Sequence, residues 1–171
     1  MIKTLSDNAT YEPSKRSANW FKLKKDYMDS GSLADSMDLI VVGADWGKGK
    51  RTGVFGSFLM ACYDEETGTY QTVTKVATGL TEEMLNTVHQ RLIPFVRESA
   101  PELLHFKDKN VDVWLEPNFV WEVRCADLSL SPVYCALLTK LGDANKGIAL
   151  RFPRFVRERD DKGLKDATTS L

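Results

Sequence analysis

The side chains with the clearest chemical potential are cations at short, regular spacings. In residues 19–27, NWFKLKKDY, Lys22 and Lys24 are two positions apart. At the period of a strand they leave one face with Trp20, while Phe21, Leu23 and Lys25 leave the other. Like charges held side by side are unfavourable unless an anion lies between them, such as a polyphosphate or a nucleic-acid backbone. The plainer reading is an edge strand whose lysines guard against aggregation. A second group, Lys48, Lys50 and Arg51, lies in the glycine-rich stretch DWGKGKRTG. A third holds Arg151, Arg154, Arg157, Arg159 and Lys162. Carboxylates gather elsewhere, at 64–66, 82–83, Glu98 and Glu102. The net charge is only -1, but phosphate binding depends on where charge sits, and this distribution implies one anion-binding side.

Other chemistries are poorly supplied. His89 and His105 are the only histidines, and Cys62, Cys125 and Cys135 are far apart. No metal is therefore expected, and no histidine-based triad; the cysteines read as reduced, mostly buried thiols. No run of 18 apolar residues exists and no secretory block follows Met1, so no membrane association and an intracellular site are expected.

The elements that must position these cations can be read in order. Residues 1–18 hold turn formers, Pro13 and Ser14 among them, and 1–5 form one short strand. The polar stretch 29–35, DSGSLAD, reads as a linker, with a domain boundary near 28–36. Residues 37–44 (MDLIVVGA), 55–63 and 70–78 read as three strands joined by the basic loop and the DEETG turn. Thr81 caps the one clear helix, with Glu82 and Glu83 in its first turn. Met84, Leu85, Val88, Leu92, Phe95 and Val96 repeat at helical spacing and read as core. Residues 105–110 are a charged loop, and Trp114 and Leu115 precede a strand over 119–125. Residues 127–134 read as a loop, and 147–156 as the last strand, bent at Pro153. Residues 163–171 show no core content and are expected to be a flexible tail. The fold class is mainly β with one helix: a five-stranded Greek-key barrel of the OB type.

NWFKLKKDY and RFPRFVRERDDK together resemble the C-terminal part of eukaryotic-type ATP-dependent DNA ligases, the replicative ligase group above all. They look like the family's fifth and sixth nucleotidyltransferase motifs, with Arg159, Asp161 and Lys162 as R-x-D-K. Residues 1–3 are similar to the end of the fourth motif. Residues 47–51, GKGKR, and 121–132, WEVRCADLSLSP, also look like this family, and the resemblance covers nearly the whole chain.

The resemblance implies residues 1–28 as a remnant of the adenylation domain, 29–35 as linker, 36–160 as the OB domain and 161–171 as tail. It implies nick sealing in duplex DNA, in nuclear replication, repair and recombination, with ATP and magnesium for the parent enzyme. Lys3, Lys22 and Lys24 would contact nucleotide phosphates. Lys22, Lys24, Arg159 and Lys162 would carry the family's catalytic roles, Arg159 and Lys162 meeting the leaving pyrophosphate. Lys48, Lys50 and Arg51 would grip DNA backbone, although the same loop also reads as a plain hairpin turn. Phe152, between Arg151 and Pro153, would press into the minor groove beside the nick; without the resemblance it reads as an inward core residue. Arg154 and Arg157 also read as solvated strand arginines. The family's nucleophile motif, K-x-D-G, does not occur in these residues. The chain is therefore expected to bind nicked duplex and to work with the rest of a ligase. Alone it is expected to hold no cofactor and to be inactive. The competing readings are a free-standing OB module stacking single strands on Trp46, Phe55 and Tyr63, and a fragment of an RNA-capping guanylyltransferase, which the WEVRCADLSLSP stretch disfavours.

Overall fold

A computed structural model describes residues 2–7, 9–10, 12–15, 19–21, 36–107, 111–138, 140–141 and 145–170. The chain divides into two compact units, Met1–Leu33 and Ala34–Leu171. In the first, strand β1 (Ile2–Lys3) pairs antiparallel with β2 (Trp20–Phe21), setting Lys3 opposite Trp20. The Lys3 ammonium lies 4.2 Å from the centre of the Trp20 ring. Lys22, Lys24 and the linker at 29–35 lie outside the described residues.

The second unit begins with a meander of long strands: β3 (Ser36–Trp46), β4 (Phe55–Asp64) and β5 (Thr69–Val76). Helix α1 (Glu82–Leu92) follows, and the Thr81 hydroxyl accepts from Met84 N at 3.2 Å, as its N-cap position requires. Then come β6 (Val96–Arg97), β7 (Leu104–His105), β8 (Val113–Leu115) and β9 (Val120–Arg124). The last strands are β10 (Asp127–Ser131), β11 (Gly147–Arg151) and β12 (Arg154–Glu158). The main sheet runs β12-β9-β3-β4-β5-β7, with β8 also on β3 and β6 on β8, while β10 and β11 form a separate pair. The end strand β12 meets the chain just past β5, where Phe155 N donates to Thr78 O at 2.9 Å, curling the sheet into a partly closed barrel. Register shifts at Val41/Gly43, Met60/Ala61 and Phe155/Arg157 supply the bends. The architecture is mainly β with one helix, of the OB type, but the main sheet has eight strands where five were expected.

The sheet is buried on both faces, which is why residues 37–44 read as a continuous apolar run rather than an alternation. Leu39, Val41, Phe58 and Met60 face an inner core shared with Leu85, Val88 and Leu92 of α1. Ile40, Val42, Leu59 and Ala61 face an outer core closed by Leu104, Val111, Trp114 and Ala167. The three cysteines are free and buried, and burial pushes the Cys62 thiol up to about 12. No helix among the described residues is long and apolar enough to cross a membrane.

Five expectations need correction. Phe95 and Val96, read as the last core positions of the helical repeat, lie beyond α1: Pro94 ends it, Phe95 is half-buried in a 3-10 turn and Val96 is exposed in β6. Residues 127–131 are a strand, not a loop: their Asp, Ser and Pro suggest a turn, but Leu128 and Leu130 alternate with serines and five residues pair with β11. The strand expected over 147–156 is two, broken at Phe152. Trp114 and Leu115, expected to precede a strand, lie inside one, β8, and His105, expected in a charged loop, pairs within β7 beside β5. The segment after 162 has core content: Ala167 and Ser170 are buried.

Candidate nucleic-acid interface

The basic loop leaves β3 at Trp46 and returns at Phe55. Its base is held by two carboxylates: Asp45 accepts from Ser57 Oγ at 2.5 Å and Lys75 Nζ at 2.9 Å, and Asp112 accepts from Trp46 N at 2.9 Å. Gly47 and Gly56 let two backbones touch; a Cβ on Gly56 would lie 2.6 Å from Gly47 Cα. One short 3-10 turn, Gly49–Arg51, forms the tip, and Gly49 takes φ 64. Lys48 and Lys50 are exposed, whereas Arg51 is half-buried and donates from Nη1 to Ala77 O at 3.1 Å. The structure thus gives two of the three cations to solvent and uses the third to tie the loop to the end of β5.

Between β11 and β12 the chain turns sharply through Phe152, which is 55% exposed and has φ 53. The inward core position is excluded by that exposure. Left-handed backbone is costly for a bulky side chain, and an exposed ring gains little from burial. Arg151 lies over the ring, 5.3 Å from its centre. Arg154, at the start of β12, is exposed and stands opposite Arg124 of β9. Like charges directly opposite across a strand pair are destabilising unless an anion joins them. Arg124 escaped the sequence reading, because only the β9–β12 register puts it beside Arg154.

The R-x-D-K residues form a closed cluster. Arg159 donates from Nη1 to both Asp38 oxygens, at 3.0 and 3.1 Å, and from Nε and Nη2 to Asp161, both at 2.8 Å. Lys162 Nζ reaches Asp38 at 2.6 Å. Asp161 is held well below the usual carboxylate range, first by its hydrogen bonds from Arg159. Those same bonds raise the already high Arg159 value. Asp38 is pinned in turn: its N donates to Thr168 Oγ1 at 2.9 Å and its O accepts from Thr168 N at 2.7 Å. Next to this cluster, Arg157 donates to Glu122 at 2.7 Å, and that bond lowers the Glu122 pKa. Asp38 was not a sequence candidate; its partners are more than 120 residues away, and its own segment reads only as an apolar strand.

Of the three aromatics considered for stacking single strands, Phe55 is fully buried and Tyr63 half-buried against Tyr70. Trp46 is exposed but packs on Phe55, with ring centres 4.8 Å apart. These three form no open stacking groove.

The profile of the family described as "ATP dependent DNA ligase C terminal region" matches residues 51–162. The chain belongs to this family. It is a C-terminal region of an ATP-dependent DNA ligase, and its relatives agree. DNA ligase 1 of Dictyostelium discoideum is 51% identical over 171 residues, covering 99% of this chain and 14% of that protein. DNA ligase 1 of Saccharomyces cerevisiae is 49% identical, over 99% of this chain and 22% of that protein. The chain thus spans under a quarter of the length of these relatives. Among solved structures, the ligase domain from M. tuberculosis LigD superposes with a TM-score of 0.61 at 22% identity, over 92% of this chain and 43% of that one. At that identity the likeness concerns the ligase fold.

Proposed function

We propose that this chain is the OB-type part of an ATP-dependent enzyme that seals nicks in duplex DNA, acting in the nucleus in replication, repair and recombination. Its own share is to bind the DNA backbone and distort the duplex at the nick. The observation that carries this reading is Phe152: an apolar ring held in left-handed backbone, exposed to solvent and flanked by Arg151 and Arg154. An exposed ring held in left-handed backbone suits a wedge for a minor groove, where apolar insertion unstacks bases. Lys48, Lys50, Arg151, Arg154 and Arg124 supply the cations for the adjoining phosphates.

Lys3, Lys22, Lys24, Arg159 and Lys162 are assigned to the nucleotide phosphates when the rest of a ligase is joined to this segment. Arg159 and Lys162 fit that task chemically, as a planar fork and a point charge. Arg159 already commits Nε, Nη1 and one Nη2–H to Asp38 and Asp161, so a bidentate grip on phosphate there requires one carboxylate to let go. ATP would supply the adenylyl group, and magnesium would neutralise phosphate charge. Among the described residues no cluster of histidines, cysteines and carboxylates is arranged to hold that metal.

Binding to nicked duplex, intact duplex and single strand, measured across a salt series, tests the proposal. Nicked duplex should bind tightest. Replacing Lys48, Lys50, Arg151 or Arg154 by Gln should lower the salt slope by about one each. Tightest binding to single strand, or slopes that do not move, would sink it.

A further inference from the structure

The two candidate DNA-contacting segments meet at three residues that no motif marks. Thr78 O accepts from Phe155 N at 2.9 Å, and the Thr78 hydroxyl donates to Pro153 O at 2.9 Å. One residue earlier, Ala77 O accepts from Arg51 Nη1 at 3.1 Å. One residue later, Gly79 has φ 96, and a Cβ there would lie 2.2 Å from Phe155 O. Residues 77–79 are thus a seam with no room for a side chain at Gly79. The basic loop is tied to one side of it and the Phe152 turn to the other.

The Phe152 turn is anchored on both flanks. Ala126 N donates to Arg151 O at 3.0 Å, and Thr78 Oγ1 donates to Pro153 O. The first anchor is main chain on both sides and survives any side-chain change. The second is a side chain and can be removed. Between them Phe152 holds φ 53, a conformation that a free turn would abandon for the extended region.

We propose that Thr78 is a positioning residue: its hydroxyl, bonded to Pro153 O, holds the Phe152 turn in the conformation that presents the ring to a DNA minor groove. With Arg51 bonded to Ala77, the same seam sets the spacing between the ring and Lys48 and Lys50. The inference rests on the reading of Phe152 as a DNA wedge.

Thr78 is exposed, so Thr78→Val should fold, and Thr78→Ser restores the hydroxyl as control. The first readout needs no DNA. In the 171-residue chain, the three-bond HN–Hα coupling of Phe152 and the exchange rate of the Phe155 amide are followed by NMR. Thr78→Val should shift the coupling and speed the exchange, while Thr78→Ser leaves both as in the parent. The second readout is the preference for nicked over intact duplex. Thr78→Val should lower it about three- to tenfold, the range one hydrogen bond supplies. It should lower it no further once Phe152→Ala is present. An unchanged coupling and amide overturn the inference, and so does a Thr78→Val loss that persists in full on the Phe152→Ala background. If Phe152→Ala itself leaves nicked-duplex binding intact while Thr78→Val still moves the turn, the wedge reading falls. The DNA-facing role of Thr78 falls with it, and only the conformational bond stands.

Discussion

Phe152 is the residue at which stability and the proposed function pull apart. Its ring is mostly in solvent and its backbone is left-handed. Asn tolerates that backbone far better. Phe152→Asn should therefore leave the urea midpoint unchanged or raise stability by up to about 1 kcal/mol. Nicked-duplex affinity should fall roughly five- to a hundredfold, as for loss of one aromatic–base contact. A variant that loses stability and keeps affinity would contradict both halves. His89 offers a second test. It is buried edge-on against Phe55, with centres 4.6 Å apart, and its Nδ1 has no hydrogen-bond partner among the described residues. Burial lowers its pKa in the fold. A lowered folded value means the unfolded chain binds the proton first, so stability present above about pH 6.5 declines as pH falls toward the folded value. Denaturation midpoints between pH 7.5 and 5 should show that decline, and His89→Leu should flatten it. Further down, Asp161 and Glu122 add their own loss, since both carboxyls are lowered in the fold.

Among the elements, the seam at 77–79 tolerates little change. Gly79→Ala would meet Phe155 O and also force a Cβ into positive φ. A cost of at least about 1–3 kcal/mol is expected by calorimetry, against near-zero change for Gly49→Asn at the open loop tip. A stable Gly79→Ala protein would mean the barrel ends are not joined there. The elements also show what a sequence can carry. β3, β4 and α1 announce themselves, because an apolar run or a capped 3.6-residue repeat is a local signal. β10 does not: Ser129, Ser131 and Asp127 have turn chemistry, and only pairing with β11 makes them a strand. The same limit governs the candidate site. Lys48, Lys50 and Arg151 stand out by type and spacing, Phe152 only through the family resemblance, and Arg159 with Lys162 by motif. Asp38, Arg124 and Thr78 do not, since each is defined by a partner strand far away in the chain.

At the scale of the molecule, the outer face of the sheet is completed by the segment after Lys162. Gly163 to Asp166 form a short turn, Ala167 enters the outer core, and Thr169 bridges Tyr63. Tyr63 N donates to Thr168 O at 3.2 Å, and Ser170 N to Tyr63 O at 3.0 Å. Deleting 164–171 removes these bonds and both Thr168 bonds to Asp38. A loss of about 2–5 kcal/mol is expected in urea unfolding, at roughly 1 kcal/mol per hydrogen bond plus the lost burial. The variant should also loosen Arg159 and Lys162, whose shared carboxylate would lose its backbone clamp. An unchanged midpoint would show that this segment does not brace the sheet.

That strap has a consequence for synthesis. Asp38 and Thr168 are 130 residues apart, so during translation the first long strand waits for almost the whole domain before its edge is covered. At about 5–20 residues per second the wait lasts several seconds or more. Until residue 170 clears the ribosomal tunnel, Asp38 has no clamp and the outer core lacks Ala167. Folding of this unit is therefore expected to complete only once residue 170 has emerged, long after β3 and β4 have been made.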